Sequence, residues 1–542
     1  MNTRHYGVWP EGKPFSLPPS EQSVFANLVA SAERDPDRPA IIYYGGVLTF
    51  GELLRQVNQV AGHLAATAGL KPDDRVALYM QNAPQFVIAY YAILAANAVV
   101  VPINPMCRRA ELQHILHDSG ARAICFGAEL SDEVDAVWVA CGRPALISAR
   151  YRDYIDPATN LILPAVLERD VTATIGTPWE DVLAADLPAP EHARGPHDWC
   201  MIPYSSGTTG QPKGCLHAHL NVNTTIRVYP DWVDMRPGSR ILATLPFCHV
   251  TGMQHSMNLP IYNGSTMYLL TRWNARNAAQ LIERERIQHW RSITTMMIDF
   301  LSLPDVDKLD VSSLEGVGGG GAQMPESIAR RMVELIGLDY VEAYGLTETC
   351  APIHINPPAA PKKQCLGVPI FDVDTRIVDQ ETLGELGPNQ QGEIVTHAPQ
   401  VFLGYWKRPD ETKAAFVELD GKPFFRTGDI GYVDEEGYFF FVDRLKRMIN
   451  VSGLKVWPAE VEAILHGHED ISEACVVGDA DPRSGEAVRA VLVLKEGRAA
   501  PEMEELAAWC RANMAAYKIP QRFEFRETLP RTAAGKVRLK DL

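Results

Sequence analysis

The stretch Tyr204 to Gly214, YSSGTTGQPKG, places three glycines, four serine or threonine hydroxyls, one proline and one lysine within eleven residues. Successive backbone N–H groups in a glycine-rich turn form a concave anion site, because glycine tolerates positive φ and close approach. Ser205, Ser206, Thr208 and Thr209 add hydroxyl donors, Gly207 and Gly210 the freedom to turn, and Lys213 a positive charge. Those are the parts a polyphosphate requires, although Ser, Thr and Gly are also ordinary residues of a solvent loop. The stretch is not a Walker-A loop, which needs glycine before the lysine and a hydroxyl after it; Pro212 and Gly214 occupy those places. Gly214-Cys215-Leu216-His217 reads as a strand, which disfavours a P-loop fold. Two histidine pairs, His217 with His219 and His466 with His468, invite a metal reading. Neither has a third ligand at suitable spacing, and that reading is set aside.

At 542 residues the chain is too long for one compact core. Hydrophobic residues at 46% and charged residues at 22% are ordinary for a globular enzyme. Helical stretches over 50–66, 278–285 and 325–335 alternate with β-rich runs over 75–79, 240–245, 266–270 and 340–342, which argues α/β architecture with largely parallel strands. From Val373 the segments DTRIVD, GEIVTHA and IGYVDEEGYFFFVDR read as antiparallel strands, the last folded at Asp434–Gly437. After Asp443 a third texture begins: helices over 458–467 and 503–514 with strands over 471–478 and 487–494. The expected fold is α/β. It has a large N-terminal domain of mixed sheets with flanking helices plus a β-rich subdomain (1–442), a short charged hinge (443–446) and a small α+β C-terminal domain (447–542).

A net charge of −16 argues against a nucleic-acid partner, which needs a broad basic face. From Tyr517 to Leu542, however, seven basic residues face three acidic ones, a local net of +4. Ten cysteines without a C-x-x-C pair suggest reduced thiols, and MNTRHYGVWPEGKPF lacks a signal-peptide core, so a cytoplasmic location is expected. The apolar run Phe86–Ile103 imitates a membrane span in length. Its Ala-Ala-Asn centre predicts instead a helix to Ala96, a left-handed stop at Asn97 and a buried strand Val99–Val101, so no integral membrane segment is expected. Composition leaves the oligomeric state open, a homodimer included.

YSSGTTGQPKG resembles the phosphate-binding signature of the adenylate-forming superfamily: acyl- and aryl-CoA synthetases, peptide-synthetase adenylation domains and firefly-type luciferases. Further stretches resemble that family in its order along most of the chain. LPFCHVTGM (Leu245–Met253) is similar to the segment bordering the carboxylate pocket and implies His249 there. GVGGGGAQMPE (Gly316–Glu326) implies Gly319, Gly320, Gly321 and Ala322 against the adenine, where missing side chains let backbone approach a flat ring. EAYGLTET (Glu342–Thr349) implies Glu342, Ala343, Tyr344 and Gly345 at the nucleotide, with Tyr344 as an aromatic face. Thr347 would bond phosphate, and Glu348, with Thr208, would hold Mg²⁺, which prefers hard oxygen ligands shared with phosphates. In FFRTGDIG, Asp429 would sit at a turn between apolar strands and accept both hydroxyls of the ribose diol. DRLKRMINVSGLKVWPAEVE resembles the hinge: Arg444 at ribose or phosphate, Lys446 as pivot, Gly453 admitting a thiol arm. LPRTAAGKVRLKDL resembles the C-terminal lysine motif, with Lys536 reaching carboxylate and α-phosphate. FLGYWKRPDETKAAF (Phe402–Phe416) also looks like the family, and no chemistry is assigned to it.

The resemblance implies attack of a carboxylate on the α-phosphorus of ATP, giving acyl-AMP and pyrophosphate, then attack of a thiol on the anhydride carbonyl with release of AMP. The small C-terminal domain would be mobile, presenting Lys536 for the first step and the Asn450–Lys455 loop for the second. CHVTGMQHSMN lacks the acidic residue that would hold an amino group, which disfavours amino acids. Met253, Met257, Met296 and Met297 would suit an alkyl chain or pack an ordinary core. A medium- or long-chain fatty acid is the expected substrate, with aryl acids the alternative. Coenzyme A is the expected acceptor, since the hinge loop resembles that of CoA ligases and no carrier domain follows Leu542. A fatty-acyl-AMP ligase serving a carrier protein, a luciferase-like oxygenase, disfavoured by Asn450, and a non-enzymatic nucleotide-binding regulator are the rivals.

Overall fold

The computed structural model describes the chain except residues 1–2, 206–210, 322–323, 452–453, 482–484 and 532–536, with backbone alone at 446, 485 and 540. The elements that position the site are, in chain order, β1 (Tyr204–Ser205), β2 (Lys213–Ala218), α1 (His219–Trp232), β3 (His289–Ser292), β4 (Gly316–Gly320), β5 (Val341–Leu346), β6 (Gly404–Tyr405), β7 (Lys422–Val433) and β8 (Phe439–Arg444).

Two nine-stranded sheets form the bulk of the fold. In one, Pro39–Tyr43, Thr266–Leu269, Arg240–Ala243, β3, β4 and β5 run parallel, and antiparallel strands close both edges. In the other, parallel strands between Arg75 and Met201 meet β2 and β6, which are antiparallel to their neighbours. One hydrophobic core runs through both sheets and encloses the helices Val24–Arg34, Phe50–Ala68 and Pro84–Ala95. Phe50–Ala68 starts on a capping box, Thr49 Oγ1 accepting the Glu52 N–H at 3.2 Å and Glu52 Oε2 accepting the Thr49 N–H at 3.0 Å. It ends at Gly69, whose φ of 57° suits glycine.

The apolar run from Phe86 folds as read from sequence. Every residue of Pro84–Ala95 is buried, Asn97 turns the chain at φ 60°, and Val99–Ile103 enters the sheet. The Asn97 amide justifies that conformation, donating to Glu191 O at 2.9 Å and accepting from Ala193 N at 2.9 Å. Among the described residues no helix is long and apolar enough to cross a membrane.

A five-stranded antiparallel sheet follows, containing β7 and β8. Beyond β8 a smaller five-stranded sheet carries the helices Pro458–Leu465 and Met503–Asn513 around its own core. The fold is thus α/β with a large N-terminal and a smaller C-terminal domain, as expected. The local +4 of the C-terminal stretch is largely neutralised within this smaller domain. Lys518 pairs with Glu460, Arg522 with Asp479, Arg526 with Glu524, and Arg531 with Glu473. Most of those carboxylates lie far upstream, which is why the local count missed them.

Candidate active site

β1 and β2, the two arms of a hairpin on either side of the glycine-rich stretch, pair antiparallel, Ser205 opposite Lys213 and Tyr204 opposite Gly214. Ser206, Gly207, Thr208, Thr209 and Gly210 lie outside the described residues. The base of the hairpin is tied down on three sides. Tyr204 donates its hydroxyl to Asp118 Oδ2 at 2.7 Å, His114 Nε2 donates to Pro212 O at 3.0 Å, and Trp406 N donates to Gly214 O at 2.8 Å. A Cβ at position 214 would come within 2.6 Å of Ile202, so packing alone demands glycine at the end of the motif. β2 runs to Ala218 before α1 begins, as the sequence reading required and a P-loop would not.

β2 then organises the neighbouring motif. Lys213 forms an ion pair with Glu411 and lies 5.2 Å from the centroid of the Tyr405 ring. Tyr405 stands opposite Cys215 on β6 and donates its hydroxyl to Glu348 Oε1 at 2.9 Å. Phe402 N donates to Glu348 O at 2.8 Å, and His217 Nε2 donates to Thr347 O at 2.9 Å. Burial pushes His217 down to about 4, so the ring is neutral and its tautomer is set by that carbonyl. The turn 347–350 exits through positive φ at two residues other than glycine, Cys350 at 56° and Ala351 at 96°. Such conformations cost on the order of 1–3 kcal/mol each and persist where surrounding bonds over-determine them. Thr349 supplies that restraint, its Oγ1 accepting from Leu346 N at 2.8 Å and donating to Ala351 O at 2.8 Å.

The glycine run occupies β4, in register with β5: Gly319 faces Glu342 and Gly320 faces Ala343. A Cβ at 319 or 320 would overlap the carbonyl oxygen of Ser292 or Ala343, and Gly321 leaves the strand at φ 94°. Ala322 lies outside the described residues. The Glu342 carboxylate is held inside the fold. The residue is 6% exposed and its carboxylate accepts Met324 N at 3.0 Å and Cys365 N at 3.3 Å. It pins the chain leaving the glycine strand to the loop at 365. Gly345 is exposed, yet a Cβ there would overlap Ala351 O.

Tyr344, Asp429 and Arg444 meet. The Tyr344 hydroxyl donates to Asp429 Oδ2 at 2.6 Å, and Arg444 Nε lies 3.0 Å from Asp429 Oδ1, the two residues being ladder partners on β7 and β8. Asp429 is not at a turn between strands, as expected, but in a bulge of the continuous strand β7, with Gly428 at φ 69°. The extra residues re-aim the aspartate while the ladder continues on either side. Buried Glu393 clamps the bulge, accepting from Arg426 Nε at 3.0 Å and Gly428 N at 3.3 Å.

His249 is exposed at the start of the short helix Val250–Gly252, 3.5 Å from Asn104 Nδ2, so it is not a core histidine. The methionines are buried: Met253, Met257 and Met297 are fully enclosed and Met296 is 6% exposed, all within the main core. The segment Met253–Asn258 is π-helical, a geometry frequent at functional sites. Its Asn258 donates to Gln254 Oε1 at 2.8 Å and to Tyr90 at 3.2 Å.

At the junction of the domains, Asp443 is fully buried and accepts the Ala459 N–H at 2.6 Å, while Arg447 pairs with Glu462. Lys536, Gly453 and the Lys446 side chain lie outside the described residues. His219 accepts the Val24 N–H at 3.1 Å, and no three-residue metal cluster of His, Cys, Asp or Glu exists among the described residues. Sequence reasoning missed Tyr405, Glu411, Glu393 and His217. The only signal for the first two was the FLGYWKRPDETKAAF resemblance, to which no chemistry was attached.

Comparison with known proteins agrees with this geometry. The AMP-binding enzyme family matches residues 28–406, and the AMP-binding enzyme C-terminal domain matches 460–536. A long-chain-fatty-acid–CoA ligase of Bacillus subtilis (strain 168) is 34% identical, covering 98% of this chain and 95% of its own length. A feruloyl-CoA synthase of Amycolatopsis sp is 34% identical over 94% of this chain and 96% of its own. The crystal structure of ATP-bound MatB from Rhodopseudomonas palustris superposes with a TM-score of 0.84 at 25% identity, covering 96% of this chain and 98% of that one. On these matches the chain belongs to the AMP-binding enzyme family and is an AMP-forming acid–thiol ligase.

Proposed function

We propose that the protein is an acyl-CoA synthetase of the cytoplasm, converting a medium- or long-chain fatty acid to acyl-AMP and then to acyl-CoA. The observation that carries the reading is the chain of contacts Lys213–Tyr405–Glu348, which joins the base of the hairpin to the turn after β5. A carboxylate is a poor acyl donor because its leaving group would be oxide. Attack of its oxygen on the α-phosphorus of ATP forms the acyl–phosphate bond and breaks the bond to pyrophosphate. The thiol of coenzyme A then attacks the carbonyl carbon, and AMP leaves with the bonding pair.

Positioning and neutralisation of charge carry both steps. Lys213 would leave Glu411 for a phosphate, as the better-matched anion. Ser205, Ser206, Thr208, Thr209 and Thr347 would donate to phosphate oxygens around the turn of Gly207 and Gly210. Gly319, Gly320, Gly321, Ala322, Ala343 and Gly345 would form the adenine shelf, Tyr344 its aromatic wall. Glu342 would act by holding that shelf in place. Asp429 and Arg444 would receive the ribose. Among the described residues, the second oxygen of Glu348 is bonded to no group. That fits Mg²⁺, which takes one or two carboxylates besides phosphate oxygens. Glu348 and Thr208 would hold the ion, which supplies Lewis-acid polarisation of the phosphates when bound.

Rotation of the C-terminal domain (447–542) about residues 443–446 would bring Lys536 to the carboxylate for adenylation. The opposite orientation would bring the loop with Gly453 to the site for thiol transfer, with Lys446 as pivot. His249, exposed above the buried methionines, would border the entering acid. The test is pyrophosphate release across fatty, aryl and amino acids with and without coenzyme A. Fatty-acid-dependent release, with AMP and thioester formed only when coenzyme A is present, is expected. Release driven by amino acids, or none with any acid, refutes the reading.

A further inference from the structure

Arg291 on β3 is 7% exposed, and no carboxylate pairs with it among the described residues. Its guanidinium lies 3.6 Å from the centroid of the Tyr229 ring on α1. A Cβ at position 318, its ladder partner on β4, would overlap the guanidinium, so that glycine leaves the space the arginine fills. Two further buried rings pack edge-on against Tyr229: His255, with centroids 5.8 Å apart, and His289, with centroids 6.4 Å apart. Among the described residues, Nδ1 of His255 and both ring nitrogens of His289 have no hydrogen-bond partner. Burial and the neighbouring Arg291 hold His255 near about 3 and His289 near about 4, so both are neutral and Arg291 is the cation.

A buried guanidinium set among aromatic rings, with no carboxylate among the described residues, is costly. A cation–π contact contributes on the order of 2 kcal/mol when desolvated, whereas an ion leaving water without hydrogen bonds costs several. The place explains the expense. α1 follows directly from β2, the strand of the phosphate hairpin. Gly318 is one residue from Gly319 on the adenine shelf, and His255 lies on the π-helical segment that begins four residues after His249. The cluster is therefore carried on elements continuous with those that bear the residues proposed for the site.

We infer that Arg291, flanked by Tyr229, His255 and His289, receives an oxygen acceptor on the far end of the acid, so that the preferred substrate is an acid bearing a second carboxylate or a distal hydroxyl or carbonyl. The inference rests on the acid-activating reading and refines it. The unpartnered donors of the cluster recognise such a group and reject a bare methyl end, which would leave them desolvated and unpaired.

The test compares kcat/KM for matched-length alkanoates, α,ω-dicarboxylates and ω-hydroxy acids, with ATP, Mg²⁺ and coenzyme A, in the wild type, Arg291→Met and Arg291→Lys. The wild type is expected to prefer one polar-ended series over the alkanoate by roughly 10- to 100-fold, the scale of a hydrogen bond to a charged group. Arg291→Met should invert that ratio and Arg291→Lys retain part of it. Preference for the dicarboxylate or for the hydroxy acid identifies an anionic or a neutral acceptor. A wild type that activates alkanoates at least as well as every polar-ended acid overturns the inference and leaves the acyl-CoA synthetase reading standing. Failure to activate any acid overturns that reading itself. Should Arg291→Met not fold, the wild-type ratio and Arg291→Lys still decide.

Discussion

Replacing Tyr405 by phenylalanine isolates one hydrogen bond in the candidate site. The hydroxyl donates to Glu348 Oε1 at 2.9 Å, while the ring lies 5.2 Å from Lys213 Nζ and packs on Phe402. Burial and the Glu348 charge push the phenol up, so it remains the donor throughout the working range. A hydrogen bond to a charged group contributes about 1.5–3 kcal/mol, and the half-exposed setting of Tyr405 favours the lower part of that range. With about 1.4 kcal/mol per factor of ten, adenylation should slow by roughly 10- to 30-fold. If Glu348 holds Mg²⁺, the apparent affinity for the metal should fall by a similar factor. Pyrophosphate release at saturating acid, titrated with Mg²⁺, measures the first half-reaction, and thioester formation from pre-made acyl-AMP measures the second. The second should change less than about twofold, because it involves no pyrophosphate. Equal loss in both half-reactions, or loss without any change in the Mg²⁺ titration, would refute the placement of Glu348 and reduce Tyr405 to packing.

Three further outcomes are expected. Lys536→Ala should abolish adenylate formation yet spare thioester formation from acyl-AMP; equal loss of both would contradict rotation about residues 443–446. Gly320→Ala should lower stability by about 1–3 kcal/mol in urea unfolding, and reduce adenylation, because its methyl overlaps the Ala343 carbonyl. Buried His5, His217, His219, His255, His289 and His354, all held at about 3 or 4 against an ordinary 6.5, should make the protein acid-labile. Below pH 6.5 the unfolded chain binds more protons than the folded one. Stability should be intact above that value and fall towards pH 4, by up to about 1.4 kcal/mol per pH unit per histidine. A melting temperature unchanged between pH 7 and pH 5 would contradict their burial as neutral rings.

Much of the scaffold was legible along the chain, since local patterns carry their own physical signal. The β-rich run over 75–79 is the strand Arg75–Tyr79, the helical stretch over 50–66 is the helix Phe50–Ala68, and Asn97 stops the chain after the helix Pro84–Ala95. The family was legible too, because motifs resembling it follow one another in its order along most of the chain. The reach of individual side chains was not. No local pattern announced that Met324 and Cys365 would donate to the Glu342 carboxylate, and Asp429 looked like a turn residue until β7 bulged around it.

What residue order determined by itself was the set of groups and the elements bearing them, because backbone propensity and side-chain chemistry act over a few residues. Tertiary structure alone decided which groups meet. Tyr405 reaches Glu348 across 57 positions, His217 grips Thr347 across 130, and Arg291 finds Tyr229 rather than a carboxylate. Those partnerships follow from strand order and burial, through which distant segments share one small volume and each polar atom must find its partner there or go without.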